Sequence, residues 1–173
     1  MNRARIQALI LSLAVFALDR ATKLLIEAKI GYWDTVEVIP GIFNIVYTRN
    51  RGGAFGILNT ASESIRLLVL VGFSLCILGL IGWMLWQATR KEAMAPLLNR
   101  IALALVFGGA IGNLYDRIFI GSVTDFLQVF LGTYEWPSFN VADSGISVGA
   151  TLMALDLFFH KRQPQDNHAP ETH

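Results

Sequence analysis

Cysteine and charge are both scarce in this chain. Its 173 residues include one cysteine, Cys76, set inside an apolar run, which excludes an intrachain disulfide framework and any multi-cysteine metal site. Three histidines, His160, His168 and His173, fall at or beyond the end of the last apolar run and give no zinc-ligand spacing. Charged residues make up only 16% of the sequence, and 14 basic against 13 acidic side chains leave a net charge of +1. That balance lacks the basic surplus expected of a nucleic-acid binder. What is abundant is apolar: 54% of the residues are hydrophobic and the mean hydropathy is +0.50, outside the usual balance of soluble domains. The chain reads as a membrane protein.

Four segments reach the roughly 20 apolar residues that cross a bilayer, counting tolerated polar interruptions. They cover about 6–26, 65–87, 97–115 and 141–160. The first resembles a secretory signal, with Arg3 and Arg5 ahead of an apolar core, but Asp19-Arg20-Ala21-Thr22-Lys23 follows it where a small-x-small cleavage pattern would stand. It is expected to be a retained helix. The basic residues Arg3, Arg5, Arg90, Lys91, Arg100, Lys161 and Arg162 fall at one set of helix ends, against Lys29, Arg49, Arg51, Arg66 and Arg117 at the other. This asymmetry favours both termini in the cytoplasm.

Two loops then lie on the outer face, about 29–64 and 116–140. In the first, Val36-Glu37-Val38-Ile39 and Ile42 to Tyr47 flank Pro40-Gly41 and read as two short strands around a turn. The expected fold is mostly α, with four transmembrane helices and a small extracytoplasmic β-sheet between helices 1 and 2. Trp33, Tyr47, Tyr134 and Trp136 suit an interfacial aromatic belt. Residues 1–160 form one expected membrane domain. The polar, proline-containing tail 161–173 is expected to be disordered.

Ionisable and amide groups within or beside the spans are the candidate functional residues, because each is costly in lipid unless paired or wetted. Asp19 and Lys23 are four apart on one helical face, acid before base, as an ion pair requires. Gly108 with Gly112, and Gly145 with Gly149, form small-xxx-small steps that admit a close helix neighbour. Asn113, Asp116 and Arg117 share a face at the end of the third span; helix-end solvation would account for Asp116 and Arg117, while Asn113 is expected to face inward. Asn50-Arg51-Gly52-Gly53-Ala54-Phe55-Gly56 is either a structural bend or a loop lining a site.

Asp125 and Asp143 carry the sharpest chemistry. Pro137 and either Ser138 or Asn140 suit the start of the fourth helix, placing Asp143 in or near its first turn, where the helix dipole favours a carboxylate. Asp125 lies between Val123 and Phe126, an apolar setting that would raise its pKa. Base and proton donor are the matching roles, with the reverse assignment also open. The competing reading for each is a helix cap or local ion pair.

Five ordered blocks, 19–23, 50–55, 108–117, 123–126 and 139–143, resemble the bacterial lipoprotein signal peptidases, or signal peptidase II, a family of membrane aspartyl proteases. The resemblance covers nearly the whole chain except the tail. It implies that Asp125 and Asp143 are a catalytic dyad and that Asp19, Lys23, Asn50, Arg51, Gly52, Asn113, Asp116, Arg117 and Asn140 bind substrate or support the site. It further implies cleavage of diacylglyceryl-modified prolipoproteins before the lipidated cysteine, in the bacterial inner membrane with the site at the outer face. No cofactor or metal, contact with membrane lipid, inhibition by cyclic peptides of the globomycin type and a monomeric state complete the expectation. Two other classes compete: a proton-coupled carrier using Asp19, Lys23, Asp116 and Asp156, and a structural adaptor packed through the glycine steps.

Overall fold

The computed structural model describes residues 2–52, 62–91 and 94–160. Gly53 to Gly56 of the glycine-rich turn and the tail 161–173 lie outside the described residues. The described chain forms helices α1 (Arg3–Lys29), α2 (Glu63–Ala88), α3 (Leu97–Phe119) and α4 (Val141–His160), with strands β1 (Thr35–Ile39), β2 (Phe43–Asn50), β3 (Val123–Leu131) and β4 (Tyr134–Phe139).

The Asn2 side chain caps α1 by accepting from the Arg5 N–H at 2.9 Å, and Ser62 caps α2 through the Ile65 N–H at 3.4 Å. Both are short polar acceptors at the orphan N–H groups of a first turn. Ser64–Ala88, Leu97–Phe119 and Val141–Phe158 are long and apolar enough to cross a membrane. At 27 residues α1 is the longest of the helices, but Asp19, Arg20, Lys23 and Glu27 interrupt its apolar character. α2 leaves Leu68 74%, Phe73 67% and Trp83 59% exposed, an apolar surface suited to acyl chains and not to water.

α3 is the central element, packing on α1, α2 and α4. The glycine steps explain how closely. A Cβ on Gly108 would stand 2.5 Å from the Ser12 carbonyl oxygen of α1, and one on Gly149 would stand 2.6 Å from the Ala102 oxygen of α3. Backbone meets backbone there, so no flexible side chain can give way. Gly108→Val is therefore expected to lower the thermal midpoint in detergent through overpacking of about 1–3 kcal/mol or more; an unchanged midpoint would mean that α1 and α3 separate freely.

The sheet is larger than the sequence reading. Its order is β1-β2-β3-β4, antiparallel throughout, so half of it comes from the α3–α4 connection. The expected sheet between helices 1 and 2 supplies only β1 and β2. Thr48 pairs with Asp125, Arg49 with Thr124 and Asn50 with Val123, which ties the two connections together at the ends of the helices. A cluster of Ile26, Tyr47 and Phe126 seats the sheet on α1. Tyr47 is consequently buried and is no belt residue, whereas Trp33, Tyr134 and Trp136 are exposed.

Candidate active site

The start of α4 builds the site. Asn140, fully buried, precedes the helix; its Oδ1 accepts from the Asp143 N–H at 2.9 Å, and its own N–H donates to Asp143 Oδ2 at 3.3 Å. This is the reciprocal pattern of a capping box, with aspartate in the third helical position. The Asn140 Nδ2 group then reaches across to β3 and donates to Asp125 Oδ1 at 2.7 Å. One asparagine thus holds both acids, which come from different elements.

Asn113 of α3 completes the arrangement. Its Nδ2 donates to Asp143 Oδ1 at 2.7 Å. Its Oδ1 accepts from Lys23 Nζ at 3.2 Å and from Asn140 Nδ2 at 3.3 Å. Because two donors face that oxygen, the amide can turn only its NH2 toward Asp143. Lys23 also pairs with Asp19 Oδ2 at 2.8 Å and Asp116 Oδ2 at 2.7 Å, with Lys23 and both acids fully buried. Arg20 Nη1 reaches Asp116 Oδ1 at 2.6 Å. Two cations and two anions therefore balance in the interior, and Asp19 Oδ1 also accepts from the Ala142 N–H at 2.9 Å in the first turn of α4.

The expected Asp19–Lys23 pair is present. Asp116 is not a solvated helix-end charge: it is fully buried because Lys23 and Arg20 converge on it. Arg117 donates from Nη1 to its own helix at Asn113 O, 3.2 Å away, and lines the same cavity as both Asp125 and Asp143. Asn50, at the end of β2, hydrogen-bonds Asp125 through its side chain and holds the Gly52 N–H at 3.1 Å. Gly52 lines the cavity, while Arg51 is exposed and does not. Thr124 was missed in the sequence. Fully buried, it donates to Glu27 Oε1 at 2.6 Å and fixes β3 to α1; its place beside Asp125, between the apolar Val123 and Phe126, was the available signal.

Asp125 and Asp143 open into one cavity of about 620 Å³, edged by β4, Arg117 and α4. A second cavity of about 280 Å³, lined by Leu70, Phe73, Ile77 and Ile146 among others, reaches Asp143 and Arg117 from between α2, α3 and α4. Burial pushes the Asp125 carboxyl up from 3.8 to about 7, with the Asp143 charge adding to the rise and hydrogen bonds from Asn140 and Asn50 opposing it. Below pH 7 it is largely protonated and can donate.

A raised carboxyl pKa means that the folded state holds the proton more tightly than the unfolded chain. Stability from Asp125 is thus fully present below 3.8 and is lost as the pH rises through about 7. Across that window the wild-type thermal midpoint is expected to fall relative to that of Asp125→Asn, which has no proton to lose. Parallel midpoints at every pH would refute a buried, protonated Asp125.

Asp125 and Asp143 thus meet at one cavity, beside the buried Asp19 and Asp116, at one end of a bundle whose helices include three long and apolar enough to cross a membrane. A profile of the family described as signal peptidase (SPase) II matches residues 11–159. The lipoprotein signal peptidase of Solibacter usitatus is 46% identical over 149 residues, 86% of this chain and 88% of that protein. That of Geobacter sulfurreducens is 44% identical over 151 residues, 87% and 91% of the two chains. A solved bacterial membrane enzyme structure superposes with a TM-score of 0.77 at 30% identity, covering 95% of this chain and 94% of its own. A second such structure gives 0.71 at 32% identity, covering 87% and 92%. The chain belongs to the signal peptidase II family, and is a membrane protease.

Proposed function

We propose that the protein removes the signal peptide from diacylglyceryl-modified prolipoproteins, cutting immediately before the lipidated cysteine with Asp125 and Asp143 as its catalytic pair. The observation that carries this reading is the common cavity onto which both carboxyls open, with Asn140 bonded to each. All four helices span the inner membrane, both termini lie in the cytoplasm, and the site faces outward. The charges that interrupt α1 are compatible with this because Asp19, Arg20 and Lys23 are neutralised within the bundle.

In the first step Asp143 takes a proton from water as its oxygen attacks the peptide carbonyl carbon, and Asp125 gives its proton to the carbonyl oxygen. The product is a neutral tetrahedral diol. Its collapse breaks the C–N bond, with one proton passing to the leaving amine of the cysteine and one hydroxyl proton returning to the pair. Water is the only co-reactant. Arg117, facing both acids, is placed to hold the peptide backbone or lipid ester oxygens. The apolar cavity between α2, α3 and α4 suits an acyl chain or an apolar side chain of the signal peptide.

Among the described residues the buried charged side chains, Asp19, Lys23, Asp116 and Asp125, gather toward one end of the bundle, which speaks against a proton path across the membrane. The direct test is to incubate the purified protein with a precursor peptide with or without the thioether-linked diacylglycerol, and to read the products by mass. Cleavage before the cysteine of the modified peptide alone is expected. Equal cleavage of both peptides, or cleavage at another bond, would overturn the proposal.

A further inference from the structure

The opposite end of the bundle carries a second polar centre that the peptidase chemistry leaves unused. Arg100 lies in the first turn of α3, about 20 Å along the helix from Asn113 at 1.5 Å per residue. It borders two cavities that also share Ala4 and Gln7. One, of about 390 Å³, is edged by Arg3, Lys91 and Arg100. The other, of about 270 Å³, continues between α1 and α3 past Ala4, Ala8, Leu11 and Ile101. A cationic chamber thus opens into an apolar groove.

No described residue lining either cavity is acidic. Asp156 on α4 accepts from Asn99 at 3.3 Å and is engaged in a further contact, and it lines neither cavity. The Nε of Arg100 is buried without a hydrogen-bond partner among the described residues, a costly condition for a guanidinium N–H. Arg5, by contrast, is occupied: it stacks 3.6 Å over Trp86, and its Nε donates to Thr89 Oγ1 at 3.3 Å. Pro96 stands at the N-cap of α3 and supplies no side-chain cap, so the first N–H groups of the helix add to the demand for an anion.

We infer that this is a binding site for an anionic phospholipid. Arg100, with Arg3 and Lys91 at the rim, holds the headgroup phosphate, and one acyl chain lies in the groove past Ala4 and Ala8. Basic pockets between membrane helices favour such headgroups by charge, and the continuous apolar groove selects a lipid over a soluble anion. The inference holds whichever way the chain is inserted, because it needs only a leaflet at that end.

Native mass spectrometry of the full chain in detergent, with phosphatidylglycerol or phosphatidylcholine of matched chains, tests it. Phosphatidylglycerol is expected to be retained selectively. At about fivefold per cation, Arg100→Gln should weaken it about fivefold and the double variant Arg3→Gln/Lys91→Gln about 25-fold, with phosphatidylcholine unaffected. Arg3 and Lys91 are exposed, so the double variant reports on binding even if Arg100→Gln folds poorly. Equal retention of the two lipids, or indifference to the double variant, would overturn the site. Displacement of the lipid by inorganic phosphate would also overturn it, in favour of a soluble anion. Binding is read without substrate, so the outcome is independent of the catalytic assignment.

Discussion

Asp125→Asn will abolish processing of lipidated precursor while leaving a folded membrane protein. Asn140 Nδ2 donates to Asp125 Oδ1 at 2.7 Å, and an asparagine oxygen can accept that bond unchanged. A carboxyl kept protonated by burial and an amide have nearly the same shape and charge, so the substitution removes little except the transferable proton. Asp143→Asn is less neutral, because both Asp143 oxygens accept N–H donors, from Asn113 and Asn140. An amide can satisfy one of them and presents its NH2 to the other, a loss of roughly 1 kcal/mol or more. General acid–base groups contribute about 10²–10⁴-fold each, and neither acid has a substitute among the described residues of the cavity. Both variants should thus lose at least about 10²-fold in kcat/KM, measured as mass loss of the signal peptide. Normal processing by either one would remove it from the chemistry.

Lys23→Met will produce the largest loss of stability. Lys23 is fully buried and pairs with Asp19 and Asp116, themselves fully buried. Removing it leaves Asp19 with the Ala142 N–H and Asp116 with Arg20, so a net negative charge stays in the interior. Breaking a buried pair from one side costs about 3–5 kcal/mol. The same change takes one of the two donors from Asn113 Oδ1, leaving Asn140 Nδ2 alone to hold that amide, so surviving protein should also process precursor less well. The double change Asp19→Leu/Lys23→Met removes one charge of each sign, leaving Asp116 matched to Arg20. It is expected to recover much of the thermal midpoint lost by Lys23→Met. If Lys23→Met alone melts like wild type, the interior charges are not balanced in the way the distances imply.

The membrane helices were legible because lipid imposes a length and a composition on any segment that crosses it, and α4 begins and ends at the residues expected. The Asp19–Lys23 pair was legible because four residues bring side chains to one helical face. The strands β3 and β4 were overlooked, although Val123 to Phe130 is rich in β-branched and aromatic residues between Gly121 and Gly132, the local signature of a strand. Spacing alone left Asp116 open to a solvated helix-end reading beside the site-supporting one that the family resemblance implies, because its partners, Lys23 and Arg20, stand on another helix and helical periodicity within α3 does not reveal them.

The order of residues by itself determined which segments must leave water, that α4 would start close to residue 140, and which acids would be expensive enough to require a purpose. Those are consequences of local spacing and of the free energy of transfer. Only the tertiary structure decided that Asn140 would bond both Asp125 and Asp143, that Lys23 would help orient the Asn113 amide, and that the Arg100 Nε would be buried with no hydrogen-bond partner among the described residues. Each depends on the close approach of separate helices and strands, set by packing at Gly108, Gly149 and the sheet, and no pattern within a single segment encodes such a meeting.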